Sequence, residues 1–298
     1  SLVRTISVTN AVNNDWEDLA TDSTYLYVAD IGNNYGERQN LNILRIPLDS
    51  LRVKNSVTAE RIDFQYADQS SFSFNFFTNY DAEALVAGQN ELFLFTKNRG
   101  NLRSSLYPIP KSIGSHTVSK TDSINSQGLI TAACASADKQ HLYLLGVDLS
   151  GPFLIRTDMG SQPGQFFDPV STLRWDLAVQ AAVQMEAIVH DGQSLWITTE
   201  STSGQAAALY QVNTISLNMW EEAGQALRIT PNPTNDEVFI DGLGSGIKAY
   251  ELWNMQRKIV REGVFIDSGL IDLFGLPSGM YILRIKGDKP SNHMILKT

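Results

Sequence analysis

Asp15-Trp16-Glu17-Asp18-Leu19-Ala20, followed by Tyr25-Leu26-Tyr27-Val28-Ala29-Asp30, is the phrase that the chain repeats. An acidic residue opens a short apolar strand, a polar turn follows, and an aromatic-centred strand ends on a polar group. The phrase returns as Asp81-Ala82-Glu83-Ala84-Leu85-Val86 with Leu92-Phe93-Leu94-Phe95-Thr96. It returns again as Met185-Glu186-Ala187-Ile188-Val189 with Leu195-Trp196-Ile197-Thr198-Thr199. In all three the Glu stands ten positions before the aromatic.

Working outward from the first phrase, Ile31-Gly32-Asn33-Asn34-Tyr35-Gly36 is a loop able to take positive φ. Strands are expected at 41–47 and 61–66. The second unit adds the loop Lys97-Asn98-Arg99-Gly100-Asn101, a strand at 106–109 and a weaker one at 117–124. A degenerate unit follows at 130–175, its opening carboxylate replaced by Thr131 or Ala133. The last unit comprises 186–189, 195–199 and 209–212, without an outer strand. Units of up to four short antiparallel strands predict an all-β protein, a β-propeller of four to six blades over residues 1–226. A blade cannot bury both faces alone, so neighbours must cover it. The alternating segment 3–9 is predicted to complete the last blade and close the ring.

Composition narrows the function classes. The 298 residues carry a formal net charge of −9, with 18% charged and 43% hydrophobic residues. That describes a globular chain and argues against nucleic acid or anionic membrane as a partner, since phosphate binding needs clustered Lys and Arg. The lone Cys134, in an apolar run, excludes an internal disulfide and paired-cysteine metal sites and reads as a small core residue. No apolar run is long enough for a spanning helix. No hydrolase elbow, zinc-protease helix or phosphate loop occurs, and His116, His141, His190 and His293 are scattered.

After a linker-like stretch at 220–225, residues 227–298 change character. Pro231, Pro233 and Pro277, close glycines and strands at 237–240, 247–253, 270–273 and 280–285 fit a small β-sandwich of about seven strands. Its phrases are Ile229-Thr230-Pro231-Asn232-Pro233-Thr234-Asn235-Asp236, then Ala249-Tyr250-Glu251-Leu252-Trp253-Asn254, then Leu276-Pro277-Ser278-Gly279-Met280-Tyr281, ending Ile295-Leu296-Lys297. This segment resembles the C-terminal sorting domain of the bacterial type IX secretion system. Trp253-Asn254, where an aspartate or asparagine-glycine type turn is commoner, and Gln256-Arg257, where Gly-Lys is usual, depart from the family's pattern. The resemblance implies an immunoglobulin-like sandwich, often cleaved on export. It implies handling by the type IX machinery and a secreted or cell-surface destination in a Bacteroidetes-type bacterium.

The front part is similar to a group of secreted propellers of the same bacteria. The similarity is carried by 15–22, 28–35, 81–86 and 92–100. Such relatives often hold one more repeat upstream, and the group brings no activity with it. A fainter likeness runs to phytase-like and esterase-like propellers.

In a propeller the start of each innermost strand and the end of the next lie at one end of the channel. Glu17, Glu83 and Glu186 are therefore expected at one mouth, as metal ligands or as struts accepting N–H groups of the next blade. Asp30, Asn33, Asn34, Lys97, Asn98, Arg99 and Glu200 are the candidate ligand contacts, with Asp148 nearby. Lys97 reads first as a counter-charge. Ca²⁺ is the cation such oxygens favour. Phe72, Phe74, Phe76 and Phe77 read as caps between blades or as a sugar-binding surface. Two function classes follow: an exported binding or scaffold module for a protein or glycan, with a cation at the channel, or a metal-dependent hydrolase, phosphoesterase-like or glycan-directed.

Overall fold

The computed structural model describes residues 3–160, 164–168, 171–177, 184–201, 206–214, 228–241, 247–254, 258–266, 268–286 and 291–298. A short strand, β1 (Ser7–Val8), leads in. The first blade holds β2 (Trp16–Thr21), β3 (Tyr25–Asp30) and β4 (Asn42–Pro47); α1 (Leu48–Val53) and β5 (Ser56–Val57) lead to its β6 (Glu60–Tyr66). The second blade follows with β7 (Ala82–Ala87), β8 (Glu91–Thr96), β9 (Ser104–Pro110) and β11 (Asp122–Ile124), while β10 (Gly114–Val118), between β9 and β11 in the chain, joins the first blade's sheet. The third has β12 (Leu129–Ala135), β13 (His141–Asp148), β14 (Gly151–Asp158) and β15 (Leu173–Asp176). The fourth has β16 (Met185–His190), β17 (Ser194–Thr199) and β18 (Leu209–Asn213). Each blade is antiparallel from its first strand outward, save that β10 lies parallel to β6 at the outer edge of the first, and β2, β7, β12 and β16 stand side by side in that order. This is a β-propeller, with four blades among the described residues.

The seams between blades are the cores. Tyr27, Ala29, Ile43 and Ile62 of the first blade bury against Leu85, Leu92 and Leu94 of the second. Val86, Phe93 and Phe95 then meet Ile130, Leu142 and Leu144, and Ala132, Tyr143 and Leu145 meet Met185, Ile188 and Ile197. Alternate residues of one strand thus serve two seams, as the two-residue period of a strand requires. Side chains also bridge the seams to backbone. Asp18 accepts the Leu85 N–H at 2.7 Å, Asp81 accepts the Asn33 N–H at 2.7 Å, and Thr131 donates to the Met185 carbonyl at 2.7 Å. Cys134 sits partly buried in β12, and burial pushes its thiol up to about 12.

Two sequence expectations need correction. The leading segment does not join the last blade: β1 runs parallel to β5, with Ser7 opposite Ser56 and Val8 opposite Val57. Ile6, Val8 and Ala11 cover Val28, Leu44, Ile46, Val57 and Ala59, the apolar face that the first blade turns away from the second. Removing that face from water is the reason for the docking. The strand expected at 117–124 is two strands. β10 pairs parallel with β6 of the first blade, and β11 pairs with β9. Val118 enters the first seam and Ile124 the second, so the apolar residues pull the segment apart.

The expected linker and the boundary at 226 lie outside the described residues. Beyond them come β19 (Arg228–Thr230), β20 (Glu237–Asp241), β21 (Ile247–Asn254), β22 (Ile259–Ile266), β23 (Gly269–Asp272), β24 (Gly279–Ile285) and β25 (Ser291–Lys297). They form sheets ordered β19-β20-β23 and β22-β21-β24-β25, an immunoglobulin-like sandwich. Its interior is Val238, Ile240, Leu252, Ile271, Leu283 and Ile295. The Asn232 side chain donates to the Met294 carbonyl and accepts the Leu296 N–H. Asn125 of the propeller donates to the Asn232 carbonyl at 2.7 Å.

Asp18 gives the first testable outcome. Asp18→Ala leaves the Leu85 N–H without its acceptor and should cost about 1–3 kcal/mol in urea unfolding. Asp18→Asn, which keeps an acceptor oxygen, should cost less. Equal losses would assign Asp18 a role other than this bond.

Candidate functional site: the acidic mouth of the channel

Each innermost strand carries one residue too many for its partner. In the first blade Trp16 pairs with Asp30 and Asp18 with Ala29, so Glu17 is the unpaired residue. The same break falls between Ala82 and Ala84, between Ile130 and Ala132, and between Met185 and Ala187. The extra residues are Glu83, Thr131 and Glu186. A β-bulge bends the strand and re-aims the side chain of the extra residue. Thr131, not Ala133, is therefore the third unit's counterpart of the repeated Glu.

A common backbone bond closes three of these bulges. The Asp15 carbonyl accepts the Gly32 N–H at 3.2 Å, Asp81 accepts from Lys97 at 2.8 Å, and Gln184 accepts from Glu200 at 3.1 Å. Gly, Lys and Glu thus occupy matching corners of the mouth, and each treats its glutamate differently. At Gly32 an added Cβ would lie 2.4 Å from both Asp15 Oδ2 and Glu17 Oε1, so only glycine lets the two carboxylates rest against the loop. At the second corner Lys97 forms a buried ion pair with Glu83 Oε1, while Glu83 Oε2 is buried without a partner. At the third corner the charge of Glu200 bears on Glu186.

The charges explain the protonation. Burial, then the neighbouring Glu83, Asp15 and Asp81, raise Glu17 to about 9 against the pull of Lys97. Burial raises Glu83 to about 7, with Lys97 opposing. Burial raises Glu186 too, with Lys97 again opposing. Lys97 is therefore the charge that Glu17, Glu83 and Glu186 share. Arg99 reaches Asp81 Oδ2 at 2.5 Å and the Asn34 side-chain oxygen at 2.9 Å, and Asn34 donates to Asp15 at 3.1 Å.

The predicted residues divide. Glu17, Glu83, Glu186 and Lys97 converge, with Asn34 and Arg99 at their edge. Asp30 does not join them: it is buried against Arg38 at 2.9 Å and takes bonds from Asn14, Asn42 and the Asp15 N–H. Asn33 is buried, bridging the first seam to Asp81 and the Tyr80 carbonyl. Asn98 is buried beside Ser105. Asp148 pairs with Arg174. Glu200 is exposed. Asp15 and Asp81 also bear on Glu17, and the shared Asp-x-Glu spacing in Asp15-Trp16-Glu17 and Asp81-Ala82-Glu83 is the sequence signal that marks them. Among the described residues, no three Asp, Glu, His or Cys side chains group as a metal ion requires. No described helix is long and apolar enough to cross a membrane.

Comparison with known proteins bears on destination. Residues 228–297 match the family described as the secretion system C-terminal sorting domain. The chain carries a type IX sorting domain. It is exported, to the cell surface or beyond it. No curated protein matches the chain in sequence. Among solved structures, it resembles a periplasmic gluconolactonase of Pseudomonas aeruginosa at 9% identity, covering 97% of this chain and 90% of that one, with a TM-score of 0.39. The β-propeller domain of Swd1 from Myceliophteria thermophila gives 11%, 95% and 84%, with a TM-score of 0.34. The extracellular domain of a B. thetaiotaomicron protein described as a one component system gives 10% identity over 97% of this chain, with a TM-score of 0.32. The chain spans about half, 51%, of that protein's length. These likenesses bring no activity across, and the propeller rests on the exported chain's own sheets.

The mouth predicts a pH dependence. Glu17 and Glu83 hold folded-state values above the ordinary 4.5. The folded protein keeps protons that the unfolded chain releases. That contribution to stability is full below about 4.5 and is lost as the pH rises through about 7 and then about 9. Glu17→Gln should melt increasingly above the wild type between about pH 7 and pH 9. Parallel melting curves across that window would remove Glu17 from the charged cluster.

Proposed function

We propose that the exported propeller is a binding module that takes an extracellular ligand at the mouth of its channel. The observation that carries this reading is the convergence of Glu17, Glu83 and Glu186 on Lys97 through matching bulges. Four ionisable side chains are held there at a cost in charge repulsion and burial, with one Glu83 oxygen left unpartnered. Such groups are poised to exchange their strained contacts for those of a ligand. Arg99 and Asn34 extend the polar rim on the side of the first seam.

A second reading is favoured by the unequal protonation of Glu17 and Glu83. One carboxyl that stays protonated near neutral pH beside one that titrates there is the arrangement of an acid and a base. That reading is a hydrolase at the same mouth, glycan-directed or phosphoesterase-like. Ca²⁺ belongs to it, since a cation would replace the proton that Glu17 retains and relieve its repulsion with Glu83.

The test uses the intact chain, with soluble glycans, peptides and phosphoesters as probes and EDTA or Ca²⁺ added. The binding reading expects one probe class to bind without Ca²⁺, about tenfold more weakly in Lys97→Met and Glu17→Gln. Binding that ignores both substitutions overturns it. Turnover of a probe that vanishes in Glu17→Gln turns the assignment to the hydrolase. A melting temperature raised by Ca²⁺ in the wild type but not in Glu83→Gln would add a cation at the mouth.

A further inference from the structure

Residues 70–77, Ser70-Ser71-Phe72-Ser73-Phe74-Asn75-Phe76-Phe77, are all exposed. Four phenylalanine rings in this one loop face solvent, with Phe74 at 64% and Phe77 at 63% exposure. The expectation that they cap the space between blades is not met. Phe74 stacks on exposed Tyr35, with centroids 4.7 Å apart and planes 20° apart. Phe76 and Phe77 meet edge to face at 5.4 Å.

Exposed rings on a loose loop would collapse or pack away from water. This loop is fastened. The Asn75 N–H donates to the Tyr35 carbonyl at 2.9 Å, and Asn75 Oδ1 accepts the Phe77 N–H at 3.0 Å. Gln69 donates to the carbonyls of Gly36 and Ser71. The Thr78 carbonyl accepts the Arg99 N–H at 3.1 Å. The backbone of Phe77 lies against Gly100, where an added Cβ would stand 2.6 Å from the Phe77 carbonyl. The rings are thus held out before any partner arrives, which lowers the ordering cost of binding. Because the loop is tied to Tyr35, Arg99 and Gly100, its rings adjoin the rim formed by Asn34 and Arg99.

We infer that Tyr35, Phe72, Phe74, Phe76 and Phe77 form a platform for an uncharged polysaccharide, whose sugar faces stack on the rings beside the acidic mouth. Composition selects this occupant. Residues 69–80 contain no charged side chain and no aliphatic one. An anionic lipid surface is met by Lys and Arg beside the apolar groups, and residues 69–80 hold no Lys or Arg. The core of a protein interface is more continuously apolar than a loop that sets Ser and Asn among its rings. Rings alternating with Ser and Asn match a sugar, which presents apolar C–H faces between hydroxyl groups. Ring faces attract C–H groups, and Ser and Asn meet hydroxyls. Export places the platform where extracellular polysaccharides are met. The inference deepens the binding reading above and rests on it for the role of the mouth.

The test is affinity electrophoresis of the intact chain in gels containing soluble β-glucan, mannan, xylan or dextran, with phosphatidylcholine vesicles as a separate probe. At least one polysaccharide should retard the wild type. The double variant Phe74→Ser with Phe77→Ser should lose about tenfold or more in affinity while its melting temperature holds, because both rings are exposed. Tyr35→Ala should show the same loss. No retardation in any gel, retardation unaffected by these substitutions, or capture by the vesicles instead, overturns the platform. If a polysaccharide binds through the rings yet ignores Lys97→Met and Glu17→Gln, the platform stands and the mouth reading fails. If a peptide or phosphoester binds through the mouth and ignores the ring variants, the platform fails and the mouth reading stands.

Discussion

One residue in excess at the start of each innermost strand is the constraint from which the rest follows. A strand shows alternate residues to opposite faces, and in the second and third blades both faces are buried in seams. A polar residue in regular register would point into one of those seams. The bulge lifts Glu17, Glu83, Thr131 and Glu186 out of the alternation, and pairing resumes at Asp18, Ala84, Ala132 and Ala187. The apolar residues that follow then fall back on their seams. Leu85 and Val86 go to opposite sides of the second blade, as Tyr27 and Val28 do in the first. One local irregularity keeps the core apolar and gathers the carboxylates at one end of the innermost strands.

The architecture was legible because the repeat is written in residue types. The ten-residue interval from Glu to aromatic survives in three units, and the seams require apolar residues on both sides of β8 and β13, which the sequence displays. The bulge was not legible, since an unpaired residue leaves that interval unchanged. The docking of β1 and the splitting of 117–124 were hidden for a different reason. Val8, Val118 and Ile124 are equally apolar in sequence, and only the assembled blades decide which uncovered face each one reaches. In the mouth, Lys97 as counter-charge to Glu83 could be read from its place after the second strand. Asp30 could not be excluded, because its partner Arg38 lies beyond a Gly/Asn loop whose path the sequence leaves open.

The expectation that the repeated glutamates brace neighbouring blades names the right task and the wrong residues. Asp18, one position after Glu17, accepts the N–H of the next blade, and Asp81, two positions before Glu83, accepts the N–H of the preceding one. Only in the third unit does the bulge residue itself brace a seam, and there it is Thr131. Glu17 and Glu83 are consequently free of that work. Asp18 is also raised, to about 7, but by burial alone and against the pull of the Leu85 and Leu19 N–H groups, whereas Glu17 is raised by burial and by its neighbouring carboxylates together. The split between neighbours one or two residues apart therefore separates the holding of the fold from the charge in the channel.

That separation also accounts for the asymmetry of the mouth. The corner residues Gly32, Lys97 and Glu200 answer the same backbone carbonyl, so the fold requires of them only an N–H. Their side chains are left to set the charge. Gly32 removes bulk and lets Asp15 and Glu17 crowd together, Lys97 supplies the shared positive charge, and Glu200 adds a negative one near Glu186. A ring of identical corners would give a symmetric field at the mouth. Three different corners grade it instead, from protonated Glu17 through paired Glu83 to Glu186 facing a like charge. The aromatic loop is fastened between the first and second corners, through Tyr35 and Arg99, so whatever stacks on it meets the protonated end of that gradient first.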